Sequence, residues 1–303
     1  MLNRRDFIHQ TTVALTLVGA LPLSAFAARK KPVAAASAAQ PETPLTPANV
    51  KTLPAGANDL DLFLLMGQSN MKGRGEVPPG QQDNPRIVML HMRNDQWYFA
   101  RDPLHMAGVA DKIDGSSNAG VGPGMSFARA VVAREPDVMV GLIPCAVGGS
   151  KIALWQKGAP HSLYDEAVRR AKLALASGAP GQTRIRAALW LQGESDSKQE
   201  TYEAYPAKLL KVVDTLRADL ALPELPFIAC TIGSFIATKA AYPRTKEINN
   251  DLRALPEHRP HTTCVDAHDL KGNIGDNLHY NTESQLAIGR RYAEKLFALE
   301  AKK

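Results

Sequence analysis

At 303 residues, 45% hydrophobic and 22% charged, the chain carries enough apolar material for a substantial core, which excludes a low-complexity or wholly disordered protein. Its formal net charge of +6 does not mark a polyanion-binding surface, because Arg4, Arg5, Arg29, Lys30 and Lys31 against Asp6 place +4 of it in the first 31 residues. The other 272 residues carry only +2 and hold no Lys/Arg-rich run with interleaved aromatics, so no nucleic-acid partner is expected.

The chain opens with Asn3-Arg4-Arg5-Asp6-Phe7-Ile8, paired arginines ahead of an apolar stretch from Thr12 to Leu23. Ala25-Phe26-Ala27 follows, with small residues flanking a cleavage point. This pattern predicts an export signal of twin-arginine type over residues 1–27, and a periplasmic or secreted mature protein of bacterial type. The apolar run falls short of the roughly 20 residues that span a bilayer, so no membrane association is expected once the signal is removed. Residues 28–57 are rich in Ala, Pro and Lys without an apolar period, which predicts a disordered linker ahead of one domain over 58–303.

From there, short apolar runs alternate with helical patterns. Leu60–Met66 reads as a strand buried on both faces, and Ile87–His91 as an edge strand. A helix over Met125–Arg134 precedes a strand at Val138–Ile143, and a helix over Leu163–Ala176 precedes one at Ala187–Leu191. Tyr202–Leu220 carries Tyr205, Leu209, Val212, Val213, Leu216 and Leu220 on one stripe, with Pro206 in its first turn. Strands at Phe227–Ile232 and Thr262–Val265 follow, and a helix over Glu283–Leu299 closes the chain. This alternation predicts a mainly parallel sheet with helices on both faces and ligands bound at the carboxyl ends of the strands.

Four strand ends carry reactive or polar side chains. The first gives Gly67-Gln68-Ser69-Asn70-Met71, where Ser69 is placed either to project as a nucleophile or to cap a helix. It is not the G-x-S-x-G elbow, because Met71 stands at the second glycine. Pro144-Cys145-Ala146-Val147-Gly148-Gly149-Ser150 offers a turn whose N–H groups suit an oxyanion, although plain turn chemistry explains two glycines equally well. Gln192-Gly193-Glu194-Ser195-Asp196 is a polar cluster suited to substrate binding or to helix capping. Asp276-Asn277-Leu278-His279 spaces a carboxylate three residues from an imidazole, so that it can fix the ring's tautomer. His268, two residues after Asp266, competes for that role. Cys145, Cys230 and Cys264 lie in or beside apolar runs and read as small hydrophobes, with no spacing that suggests zinc. Among the tryptophans, Trp190 reads as core and Trp155 as the better candidate for lining a sugar pocket.

Taken together, GQSNM, PCAVGGS, LQGESD and DNLHYN, in that order, resemble carbohydrate esterase family 6 and the sialate O-acetylesterase family within the SGNH-hydrolase superfamily. The resemblance runs from about Leu60 to Phe297. It implies a three-layer α/β/α sandwich with a flavodoxin-like sheet, Ser69 as nucleophile, His279 as base and Asp276 as its orienter. It also implies an oxyanion donor at Gly148 or Gly149. The superfamily's third block usually offers an asparagine. Here Gln192 is the amide in that position and is assigned the donor role, with Glu194 as a rival contributor. The implied activity is a serine esterase, acetylxylan esterase-like, that removes O-acetyl groups from an oligo- or polysaccharide through an acetyl-serine, with no metal or organic cofactor. A sialate O-acetylesterase, or a non-catalytic glycan-binding protein on the same scaffold, is the alternative.

Overall fold

The computed structural model describes residues 45–105 and 119–301. The export signal expected at residues 1–27, most of the expected linker and most of the Ala107–Pro123 loop lie outside them. Within the described residues, strand β1 (Asp59–Gly67) forms the centre, buried at every position from Leu60 onward. Each of its leucine and phenylalanine side chains contributes about 1.5–3 kcal/mol on leaving water. Strands β4 (Val138–Pro144) and β5 (Thr183–Leu191) flank it in parallel.

The sheet has seven strands in the order β3-β2-β4-β1-β5-β6-β7, with β2 at Ile87–Leu90, β6 at Phe227–Cys230 and β7 at Thr262–Val265. All pairs are parallel except that of β2 with β3 (Trp97–Phe99). Without this edge hairpin, the five remaining strands run second, first, third, fourth, fifth along the chain, the flavodoxin order. Helices α2 (Gly124–Arg134) and α6 (Thr282–Glu300) pack together. Helices α3 (Leu163–Ser177), α4 (Tyr205–Leu220) and α5 (Thr245–His258) pack in series as a second group. The short helix α1 (Ser69–Lys72) caps β1. The sheet with two groups of helices is the expected α/β architecture.

Three features depart from the sequence reading. The antiparallel strand β3 and the helix α5 were not expected. The third is the domain boundary, which lies further towards the N-terminus than residue 58. Phe99 N–H donates to Thr46 O at 2.9 Å, Ala48 N–H donates to Trp97 O at 2.9 Å, and Val50 is buried in the core. Residues 45–57 are therefore part of the domain, held through backbone bonds to the edge strand that no apolar period in their own sequence reveals.

Candidate active site

The switch point of the flavodoxin order lies between β1 and β5, where neighbouring connections leave in opposite directions and open a crevice. β1 ends at Gly67 with φ +136°, and a Cβ there would stand 2.1 Å from the carbonyl oxygen of Leu191. Glycine is thus the residue that lets the two strand ends meet. Gln68 N–H then donates to Leu191 O at 3.0 Å, and the chain turns into α1 with Ser69 as its first residue. The turn after β4 is drawn to the same place, with Val147 N–H on Gly67 O at 3.2 Å and Ser150 Oγ on it at 3.3 Å.

Ser69 Oγ lies 3.0 Å from His279 Nε2, across 210 positions of sequence. On the other side of the ring, Nδ1 lies 2.5 Å from Asp276 Oδ2. Asp276 Oδ1 accepts the N–H groups of Leu278 and His279, each at 2.9 Å, so one carboxylate both shapes the turn and orients the ring. Burial acts to raise the Asp276 pKa, but the backbone N–H and ring of His279 outweigh it and hold the carboxyl below its usual range. Burial also dominates His279 and depresses its pKa despite the Asp276 charge, with Arg74 and Lys239 adding to the effect. The ring is therefore neutral at neutral pH, as a general base must be. His268 does not compete, since it touches neither Ser69 nor His279; Asp266, two residues before it, is engaged by Arg253.

The polar cluster after β5 behaves differently from expectation at one residue. Gln192 is fully buried and does not line the cleft. Its Nε2 is directed to Asp196 Oδ2 at 2.5 Å, Ser150 O at 3.1 Å and Gln68 Oε1 at 3.3 Å. An amide whose donors are spent on three protein acceptors does not serve an oxyanion, so the donor role assigned to Gln192 is corrected to one of bracing. Asp196 completes the brace by accepting Ile152 N–H at 2.8 Å, which ties the turn after β4 to the turn after β5. Gln68 lines the cleft in place of Gln192, and its Oε1 also accepts Ser195 N–H at 3.2 Å.

Glu194 is buried beside Ser69 and reaches the cleft wall. Among the described residues, no hydrogen bond joins it to His279, whose ring nitrogens face Asp276 and Ser69. Its Oε1 accepts from Asn70 Nδ2 at 2.5 Å, while its Oε2 is buried without a partner. Burial pushes its carboxyl up to about 7, against the opposing bond from Asn70. Gly148 and Gly149 both line the cleft, and Gly149 takes φ +70°, which favours glycine. Among the described residues, the N–H groups of Ser69 and Gly149 have no acceptor. Arg74, Ser195, Tyr242 and Leu278 complete a cleft of about 280 Å³. Neither Arg74 nor Tyr242 stood out in the sequence, because each lies in a loop without a motif.

Two further expectations are settled by burial. Trp155 is wholly buried, stacked edge-on against Trp190 at 5.3 Å with its Nε1 on Ser150 Oγ, so it belongs to the core rather than to a sugar pocket. Cys145 is buried, and burial raises its thiol to about 11, far from a nucleophile at neutral pH.

The serine, imidazole and carboxylate are thus aligned at the foot of a narrow cleft, with free backbone donors beside the hydroxyl. A family model described as carbohydrate esterase, sialic acid-specific acetylesterase, matches residues 59–298, which contain all four motifs. The chain belongs to this carbohydrate esterase family. It is accordingly a carboxylic-ester hydrolase, which sets aside the non-catalytic alternative. A probable carbohydrate esterase from Arabidopsis thaliana is 36% identical over 250 residues, 77% of this chain and 88% of that protein. An X-ray structure of the Arabidopsis protein superposes with a TM-score of 0.67 at 34% identity, covering 80% of this chain and 98% of that one. NanS (TM-score 0.63, 18% identity, 82% and 99% covered) and a carbohydrate acetylesterase from Xanthomonas citri (0.59, 17%, 81% and 57%) share the esterase's fold.

Proposed function

We propose that this esterase removes O-acetyl groups from carbohydrate by a two-step acyl transfer through an acetyl-Ser69 intermediate. The observation that carries the reading is the 3.0 Å approach of Ser69 Oγ to His279 Nε2, with Asp276 on the far ring nitrogen. Ser69 Oγ attacks the acetyl carbonyl as His279 Nε2 takes its proton. The oxyanion is met by the N–H of Ser69 and by the Gly148–Gly149 turn. The C–O bond to the sugar breaks, and His279 returns the proton to the leaving alkoxide. Water then attacks the acetyl-serine with His279 again as base, releasing acetate and restoring the serine. Asp276 stabilises the imidazolium in both steps.

The substrate in this reading is an acetylated oligo- or polysaccharide such as acetyl-xylan, met outside the cytoplasm after export through the signal at residues 1–27. A second reading, O-acetylated sialic acid, is favoured by the description of the family. The test is acetate release by wild type and Ser69→Ala from acetyl-xylan, O-acetylated sialic acid and an aryl acetate. Release that disappears in the variant is expected, and its ranking across substrates chooses between the readings. Release that survives in the variant would overturn Ser69 as nucleophile.

A further inference from the structure

Asn70 follows the serine directly, yet its side chain points away from the cleft and is wholly buried. Its Oδ1 accepts Tyr280 N–H at 3.0 Å, and its Nδ2 donates to Leu278 O at 3.1 Å. These two groups are the peptide neighbours of His279, one on each side. The remaining Nδ2 hydrogen goes to Glu194, and the Asn70 carbonyl accepts Gln285 Nε2 at 2.9 Å. A single amide therefore grips the backbone on both flanks of His279, and its own main chain carries Ser69 one residue earlier.

From this geometry we infer that Asn70 is the positioning residue that sets the Ser69–His279 distance, with Glu194 and Gln285 holding Asn70 in register. The inference rests on the reading of His279 as base. Both hydrogens and the oxygen of the side-chain amide are engaged, so the Asn70 side chain has no donor left for the oxyanion and acts through the imidazole. Leu, Ala or Asp at this position cannot make both contacts. Asp retains the acceptor for Tyr280 N–H but loses the donor to Leu278 O and sets a charge against Glu194. A misplacement of about 1 Å between reacting groups costs on the order of 10²-fold in rate, and this is the size of effect expected here.

The test is a double-substitution cycle on an aryl acetate, with Asn70→Ala made in wild type and in His279→Ala supplied with imidazole as a freely diffusing base. Asn70→Ala in wild type should lower kcat about 10²-fold with KM within about twofold. In the His279→Ala background the same change should cost less than about twofold, because no tethered ring remains to be misplaced. An equal cost in both backgrounds would overturn the inference, whereas a His279→Ala enzyme with full activity would overturn the base assignment itself. Asn70→Asp combined with Glu194→Gln controls for folding by restoring a hydrogen bond between positions 70 and 194 without the bond to Leu278 O. This pair should regain Tm over Asn70→Asp without regaining kcat. Recovery of kcat together with Tm would assign Asn70 to stability alone.

Discussion

The two ends of the central sheet treat charge in opposite ways. At the amino ends of β5 and β6, a cleft of about 610 Å³ is lined by Arg184, Arg186, Glu224 and Glu300 among apolar residues. It is more than twice the volume of the catalytic cleft, yet its guanidinium groups are already matched. Buried Asp61 takes Arg184 at 2.6 Å and Arg186 at 2.9 Å, and Arg186 continues to Glu135 and Glu300. At the carboxyl ends, Glu194 Oε2 and Gln192 Oε1 are buried without partners, and the N–H groups of Ser69 and Gly149 lack acceptors. Saturated charge holds the amino end together, while the unspent N–H groups of Ser69 and Gly149 at the carboxyl end are available to a reacting ester. Size alone would have pointed to the wrong cleft.

The largest expected effect separating the two ends is that of Ser69→Ala. Its kcat should fall on the order of 10⁴–10⁶-fold, with Tm close to wild type. Asp276→Asn should lower kcat on the order of 10⁴-fold, and the pH profile gives a second reading. Since the carboxylate raises the His279 pKa against burial, removing its charge lowers that pKa further. The acid limb of kcat/KM should therefore move to lower pH in the variant, and a limb that stays or moves upward would contradict the pairing.

Asp61→Asn should do the reverse of Ser69→Ala. Removing one partner of a buried ion pair costs about 3 kcal/mol, read by chemical denaturation, while kcat of the folded fraction is unchanged. Loss of kcat without loss of stability would break the contrast between the ends. The smallest effect expected is at Glu194. Its folded-state pKa of about 7 lies above the ordinary carboxyl value, so its favourable contribution is present below about pH 4.5 and is lost as pH rises through 7. The Tm of Glu194→Gln relative to wild type should therefore improve from about pH 5 to about pH 8. Parallel Tm curves would show that Glu194 does not titrate in this range.

Much of this division was legible in the sequence. Continuous apolar runs marked β1, β4 and β5, because strands buried on both faces leave no other pattern. The reactive residues stood out because each directly follows such a run or precedes the last helix. What was hidden depended on partners distant in the chain. β3 is three residues long, too short for a period, and exists because β2 and residues 46–48 pair with it. Helix α5 buries Ile248, Leu252 and Leu255 at helical spacing, but Asn249, Asn250 and Pro256 mask the pattern. Gln192 was correctly placed at the strand end and wrongly aimed, since sequence gives an amide's position but not what it faces. Asn70 drew no role from the sequence, because its partners at 278 and 280 become neighbours only when the turn before α6 folds back on the end of β1.

The most direct test of the serine esterase chemistry is covalent labelling with an alkyl fluorophosphonate, followed by peptide mapping and assay of residual acetyl-ester hydrolysis. One label per chain on Ser69, with activity falling in proportion to labelling and slower labelling in Asp276→Asn, is the expected result. Hydrolysis that persists when Ser69 is fully labelled, or a label found on another residue as activity disappears, would contradict it.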